Sequence, residues 1–500
     1  MNISFLANEC PPLASKEVHK RPWQFLERYP ELAFYLRGRP FLAKRMEAHY
    51  LRVQEFCTLY VAPQALDIER KQIEDPNYVP WELLQKACDY QLYSMAFPSV
   101  LGGSGQHIIS VFIAYEMIAT HCVAVANLLG VSGLAIGCVM STFDPRAIAN
   151  IAKLFADNEH KRIPTFLSTC VTEPGAGSDA EDADEFERAN LHTTAKKVEG
   201  GYILNGNKVF ISNGCLAQLH VVTVYNAAGK HRPEDLMLFL VEKDSPGLSI
   251  PRNEKKMGQR VCPASEVVFD NVFVADEMVC RTEQPTDTFA YAGIANVLGL
   301  TRAGVGGFAT GVAENAYQTA LEYVRKHDFL GQPMEQQQWV RVELAHLARR
   351  AQVARSTYLG ALLAVCSYGI AEPVTRIPEV SWFGRLLQLP LLEKVPSWLL
   401  RTRGANSFFK KISKRQKDYA RDTATAYADV AKVSCTELGM ENCQRAISLM
   451  GKGGLRHEQG AEKLLRDIKL LQIYEGTNQV NMLDFVKRRV SRQFQDINQQ

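Results

Sequence analysis

No two of the twelve cysteines are spaced C-x-x-C, and none pairs with a histidine at a metal-ligand spacing. A zinc site and a disulfide framework are therefore not indicated, and a reducing compartment fits. An excess of one charge is also missing. Lys and Arg number 57 against 54 Asp and Glu, a net +3, which implies no nucleic-acid surface. Residues 1–15 lack a basic n-region and a continuous apolar core, and they are poor in Arg. Neither a secretory signal nor a transit peptide is expected there, and the expected location is cytoplasmic. No G-x-G-x-x-G follows a strand-like run, so a Rossmann NAD site is not indicated. Long apolar runs are scarce. One, residues 117–140, carries no charge unless His121 is protonated, but Gly130, Ser132 and Gly133 interrupt it. It predicts two buried helices rather than a membrane span.

What is present is ordinary for a soluble globular chain: 46% hydrophobic and 22% charged residues over a length sufficient for two or three domains. Residues 1–45 form an extension of mixed aromatic and basic content with no assignable chemistry. From 46 to 163 apolar residues recur at three and four, which predicts helices broken at Pro63, Pro80 and the Pro98–Gly105 loop. From 164 to 285 the period becomes two. Runs at 202–211, 221–225, 236–241 and 266–274 read as short strands of a small β-barrel or sandwich. From 286 to 500 helical runs return at 296–326, 336–368, 418–450 and 462–474, which suggests a four-helix bundle. The expected fold is α+β and mainly α.

Residues 372–417 interrupt the bundle. They hold Pro373, Pro378, Pro390 and Pro396, then Trp382, Phe383 and Trp398 among leucines, then a basic run from Arg401 to Lys417. Two readings stay open: a hairpin packed on its own bundle or on a neighbouring subunit, and a peripheral membrane contact through 382–417.

Near the end, an apolar helix-compatible run brings one carboxylate, Glu475, to Gly476. Locally this reads either as a helix end with a glycine cap or as a carboxylate desolvated into a base. Two further stretches bear on the choice. Thr172-Glu173-Pro174-Gly175-Ala176-Gly177-Ser178-Asp179 precedes Gly206-Asn207-Lys208-Val209-Phe210-Ile211-Ser212-Asn213-Gly214, and Tyr474-Glu475-Gly476-Thr477 closes the set. In order and spacing, across roughly residues 50 to 490, the three resemble the signatures of the acyl-CoA dehydrogenase family. That family's architecture is a helical domain, a β-domain and a helical bundle.

The resemblance implies an FAD-dependent enzyme that forms the 2-enoyl-CoA from an acyl-CoA. Glu475 matches the family's base and Arg302 an arginine packed near it. Thr301, Arg302, Tyr474, Gly476 and Ser178 match the substrate side. The stretch Leu300-Thr301-Arg302, where some branches place the base, has no carboxylate. Thr169, Val171, Thr172, Gly177 and Ser178 match the flavin edge, and Phe210 and Ser212 stand where the family usually has Trp and Thr. Gln338, Gly451, Thr477 and Gln479 match the adenine side, to which a neighbouring subunit contributes. The arginine expected against the pyrophosphate is His327 in register, a weaker phosphate partner, with Arg325 nearby. Ser448 and Lys452 also depart from the family pattern. An electron-transfer flavoprotein is the implied electron acceptor, and a homodimer or homotetramer the implied assembly. Alternatives on the same fold are an acyl-CoA oxidase, a DNA-damage-associated flavoprotein, and a non-catalytic acyl-CoA-binding relative.

Overall fold

The computed structural model describes residues 24–142, 145–181, 189–229, 235–280, 289–368 and 418–490. Residues 372–417, and with them the membrane and hairpin readings, lie outside the described residues.

The chain opens with two short helices, α1 (Phe25–Arg28) and α2 (Leu32–Tyr35), ahead of α3 (Pro40–Phe56). The part of the extension described here is thus no loose tail. Phe25, Tyr29 and Leu32 are fully buried against the helical domain, so their aromatic and aliphatic surface fixes the segment. Glu47 accepts the backbone amides of Gln24 and Phe25 at 2.9 and 3.0 Å, which caps the start of α1 in place of a capping side chain of its own. The domain continues with α4 (Ala65–Glu74), α5 (Trp81–Asp89), α6 (Ile108–Gly130), α7 (Ser132–Ser141) and α8 (Pro145–His160).

The long apolar run divides where its small residues fall, with only Val131 between α6 and α7. Helix α6 is long and apolar enough to cross a membrane, but 78% of its most apolar window is buried inside the fold. A carboxylate enters that core. The fully buried Glu116 accepts Arg355 Nε at 2.9 Å and Arg28 Nη2 at 3.3 Å, and Tyr358 donates to its other oxygen. These partners lower its pKa against the upward push of burial. A charge at zero exposure needs such partners, and here they tie α1 and α6 to the bundle.

The middle domain is an eight-stranded sheet. Its strands are β1 (Leu167–Cys170), β2 (Thr194–Val198), β3 (Gly201–Ser212), β4 (Leu219–Asn226), β5 (Leu236–Glu242), β6 (Leu248–Ser249), β7 (Ala264–Ala275) and β8 (Val279–Cys280). The order is β6-β7-β3-β2-β4-β5-β8, with β1 added parallel to β4. Periodicity shows the four longer strands and not β1, β2, β6 or β8, because two to five residues give too few alternations. Cys170, Leu204, Val222, Phe239, Val267 and Phe269 fill one core. Leu167, Leu219 and Val221 face the other way, into the helical core.

The last domain holds α9 (Phe289–Lys326), α10 (Gln338–Tyr368), α11 (Asp418–Met450), α12 (Ala461–Leu471) and α13 (Asn478–Phe485). Helices α9, α10 and α11 pack on one another, and α9 also packs on α6. One boundary differs from the periodicity in a way that matters. Helix α12 stops at Leu471, three residues before Tyr474, so Glu475 stands in a turn between two helices.

Candidate active site

The site is built on that turn. Glu475 itself has φ 58° and Gly476 φ 76°, two consecutive left-handed residues. For glycine that conformation is free, and for a Glu it costs about 1–2 kcal/mol. The turn therefore aims the carboxylate away from the path a helix would give it. Glu475 Oε2 accepts Thr301 Oγ1 at 2.7 Å across from α9. The Glu475 residue is half-buried, and burial raises its pKa above the ordinary carboxylate range. Thr301, Arg302 and Lys432 pull it partly back. Burial wins that balance.

Arg302 packs beside the turn, where its contacts are to the Glu475 backbone and to two aspartates. Its Nε donates to the Glu475 backbone carbonyl at 3.2 Å, while Nη1 donates to Asp429 at 2.7 Å and Asp484 at 2.8 Å. The guanidinium is thus a buried strut for the turn, and the charge it brings does not keep the carboxylate at its usual pKa. Asp429 is fully buried, with its pKa pushed up to about 7 by desolvation, against the pull of Arg302. From the other side of the turn, the buried Lys432 of α11 donates to Gly476 O at 2.5 Å and Asn478 Oδ1 at 3.0 Å.

Tyr474 anchors the turn to the other two domains. Its hydroxyl lies 3.4 Å from Gln259 Oε1, which also accepts Asn127 Nδ2 at 2.9 Å. The Gln259 amide donates to Asp467 at 2.5 Å. Thr477 caps α13 by accepting Val480 N at 3.3 Å, and its own amide donates to Ser178 Oγ at 3.2 Å. Ser178 therefore joins the Gly-rich loop of the β-domain to the Glu475 turn, with its hydroxyl proton still available to a ligand.

The Gly-rich loop is held by a buried ion pair. Lys208 Nζ lies 2.7 Å from Glu173 Oε1 and 3.0 Å from Val171 O. The same carboxylate accepts the His192 and Thr193 amides. Val209 N donates to Thr172 O at 3.0 Å, which lays β3 along the loop. Between Lys208 and Ile211 the strand bulges, and Phe210 takes φ 59° with 61% of its surface exposed. A strained, exposed aromatic at a bulge is a shelf for a planar ligand. Thr169 Oγ1 is buried with no hydrogen-bond partner among the described residues, and Ser212 is half-buried. A Cβ on Gly177 would meet only Thr172 Cγ2 at 4.0 Å, so that side of the turn is open.

The remaining residues expected at a cofactor are on the surface of the chain. Arg325, His327, Gln338, Gly451 and Gln479 are exposed. His327 stacks on Tyr323 with ring centroids 3.7 Å apart and shares a 2.8 Å hydrogen bond with the Tyr323 carbonyl. Gly453 packs against the same tyrosine ring, which brings the Gly451 turn to the end of α9. From Thr301 to Arg325 that helix rises about 36 Å. One chain does not bring Arg325, His327, Gln338 or Gly451 to the Glu475 turn, whereas Gln479 lies in the first turn of α13, four residues after Glu475. Lys432, Asp429 and Asn478 carry no motif and were missed by sequence reasoning. The only signal is a lysine set among apolar residues of a helical run.

The acyl-CoA dehydrogenase N-terminal, middle and C-terminal domain profiles match residues 46–143, 168–272, and 292–369 with 383–491. The chain belongs to the acyl-CoA dehydrogenase family. It is 28% identical over 439 residues to an acyl-CoA dehydrogenase of Bacillus subtilis, covering 86% of this chain and 94% of the relative. It is 26% identical to a cyclohex-1-ene-1-carbonyl-CoA dehydrogenase of Syntrophus aciditrophicus, covering 86% of each. The fold superposes on butyryl-CoA dehydrogenase from Megasphaera elsdenii with a TM-score of 0.67 at 23% identity, covering 88% of this chain and 97% of that one. Acyl-CoA dehydrogenases are FAD-dependent oxidoreductases. The Phe210 shelf, the orphaned Thr169 hydroxyl and the open turn at Gly177 fit that cofactor.

Proposed function

We propose that this enzyme converts an acyl-CoA thioester to its 2-enoyl-CoA, with Glu475 as the base that takes the α-proton and an electron-transfer flavoprotein as the final electron acceptor. The observation that carries the reading is the Glu475 carboxyl: buried enough for its pKa to rise, and fixed by Thr301 at 2.7 Å. Bound FAD supplies the hydride acceptor that no side chain can provide.

The residues of the chain handle the proton. A base works best when its pKa approaches the operating pH, and burial moves Glu475 in that direction. Thr301 serves both protonation states. Its hydroxyl has three acceptors in reach, Glu475 Oε2 at 2.7 Å, Val297 O at 3.1 Å and Leu298 O at 3.4 Å. With Glu475 ionised, Thr301 donates to it. Once Glu475 has taken the α-proton it can donate to Thr301, which turns its own proton to Val297 O. Neither state leaves a buried group unpaired. Tyr474, tied through Gln259 to the helical and β-domains, walls the same turn.

The exposed Arg325, His327, Gln338 and Gly451 are assigned to the cofactor of a neighbouring subunit, in keeping with their distance from Glu475 along α9. The test is anaerobic titration of the purified yellow protein with a panel of acyl-CoA thioesters of different length and branching. Bleaching of the flavin by at least one supports the reading, and its absence with all of them contradicts it. Hydrogen peroxide formed once per turnover in air would point to an oxidase instead.

A further inference from the structure

The turn that carries Glu475 is held in an unfavourable conformation by a buried ammonium that no motif records. A left-handed glutamate persists only where its surroundings over-determine it. Two cations do so here. Arg302 grips the Glu475 carbonyl, and Lys432 grips the next one, Gly476 O, at 2.5 Å together with Asn478 Oδ1 at 3.0 Å. Lys432 has no exposed surface. Removing an ammonium from water costs several kcal/mol, so a lysine placed there needs strong acceptors in return. Asn478 is itself fixed, since its Nδ2 donates to Thr436 Oγ1 at 3.0 Å on the same helix as Lys432. Asp429, one turn before Lys432, holds Arg302 at 2.7 Å. A single turn of α11 therefore supports the carbonyls of both left-handed residues, Glu475 and Gly476.

We propose that Lys432 is a positioning residue for Glu475: its ammonium locks the two left-handed residues and so fixes where the carboxylate points. The proposal rests on the reading of Glu475 as the base. The groups that bear on this carboxylate are Thr301 and Arg302 from α9, Lys432 from α11, Cys138 from α7 and the adjoining Tyr474. Arg302 and Lys432 are the cations among them. Loss of the ammonium thus also removes a charge that favours the ionised base.

The test uses the full-length holoenzyme with Lys432→Met, Lys432→Arg and Asn478→Ser. Lys432→Met is expected to slow flavin reduction about a hundredfold, the scale of a small misplacement of a reacting group, with little change in KM. The acid limb of its pH–rate profile moves to higher pH. Native-state hydrogen exchange of the amides of residues 475–478 becomes faster, and Lys432→Arg restores part of both. Lys432→Met with wild-type exchange in this turn and an unmoved acid limb overturns the proposal, whatever its rate. If Lys432→Met does not fold, Asn478→Ser carries the test. It keeps the ammonium and removes one acceptor, so faster exchange supports the proposal and unchanged exchange overturns it. Failure of the functional reading shows separately, as wild-type flavin that no acyl-CoA bleaches, while the exchange result still decides the role of Lys432.

Discussion

Thr301 Oγ1 sits 2.7 Å from Glu475 Oε2 and 3.1 Å from the Val297 carbonyl of its own helix. A hydroxyl has one proton, and the ionisation state of Glu475 decides which acceptor receives it. Thr301→Val leaves the ionised carboxylate without this donor. The Glu475 pKa then rises further, because burial remains and a hydrogen bond that lowered it is gone. The expected result is an acid limb of kcat/KM displaced upward by about one pH unit, the equivalent of roughly 1.4 kcal/mol. A pH profile of flavin reduction checks it.

Arg302 is 2% exposed and paired with two carboxylates. Breaking a buried pair by removing one partner costs about 3–5 kcal/mol, because the other charge is left uncompensated. Arg302→Met is expected to lower the unfolding midpoint sharply and to loosen the Glu475 turn. Denaturant unfolding, read beside flavin content, measures the first effect apart from the second.

Asp429 gives a pH signature. Its folded pKa, about 7, lies above the unfolded value of about 3.9. A raised folded pKa means stability that is fully present below the unfolded value and lost as pH climbs through the folded one. Relative to Asp429→Asn, the wild-type protein is expected to lose stability between about pH 4 and about pH 7. Urea titrations of both proteins across that window check the sign.

Phe210 stores strain in its left-handed backbone and exposes its ring. Phe210→Gly removes the strain and the shelf together. The prediction is a fold at least as stable, by up to about 1 kcal/mol, with markedly lower flavin retention. Thermal unfolding and the ratio of flavin to protein absorbance separate the two.

The three motif stretches made the family legible, since Glu475, Ser178, Phe210 and Gly177 sit in short strings whose order and spacing carry the resemblance. What held those residues in place was not legible. The partners of Arg302 come from 127 and 182 positions further along the chain, and sequence spacing does not report a contact of that range. Lys432 reads as one more polar residue on a helix until packing shows that it has no solvent. The left-handed φ of Glu475 itself was hidden because the glycine that follows is enough to account for a turn. At the N-terminus, Tyr29 and Phe25 looked like scattered aromatics, and only tertiary contact reveals them as core. The short strands β1 and β2 fell below the length at which alternation can be recognised.

The central claim is that one carboxylate, on the turn after α12, takes the α-proton. Rapid-mixing measurement of flavin reduction in Glu475→Gln tests it most directly, with an acyl-CoA that bleaches the wild-type protein and with FAD content matched. The account predicts a fold and flavin spectrum like wild type and a reduction rate lower by at least about a thousandfold, the upper range of what a positioned base contributes. Reduction at the wild-type rate would contradict it.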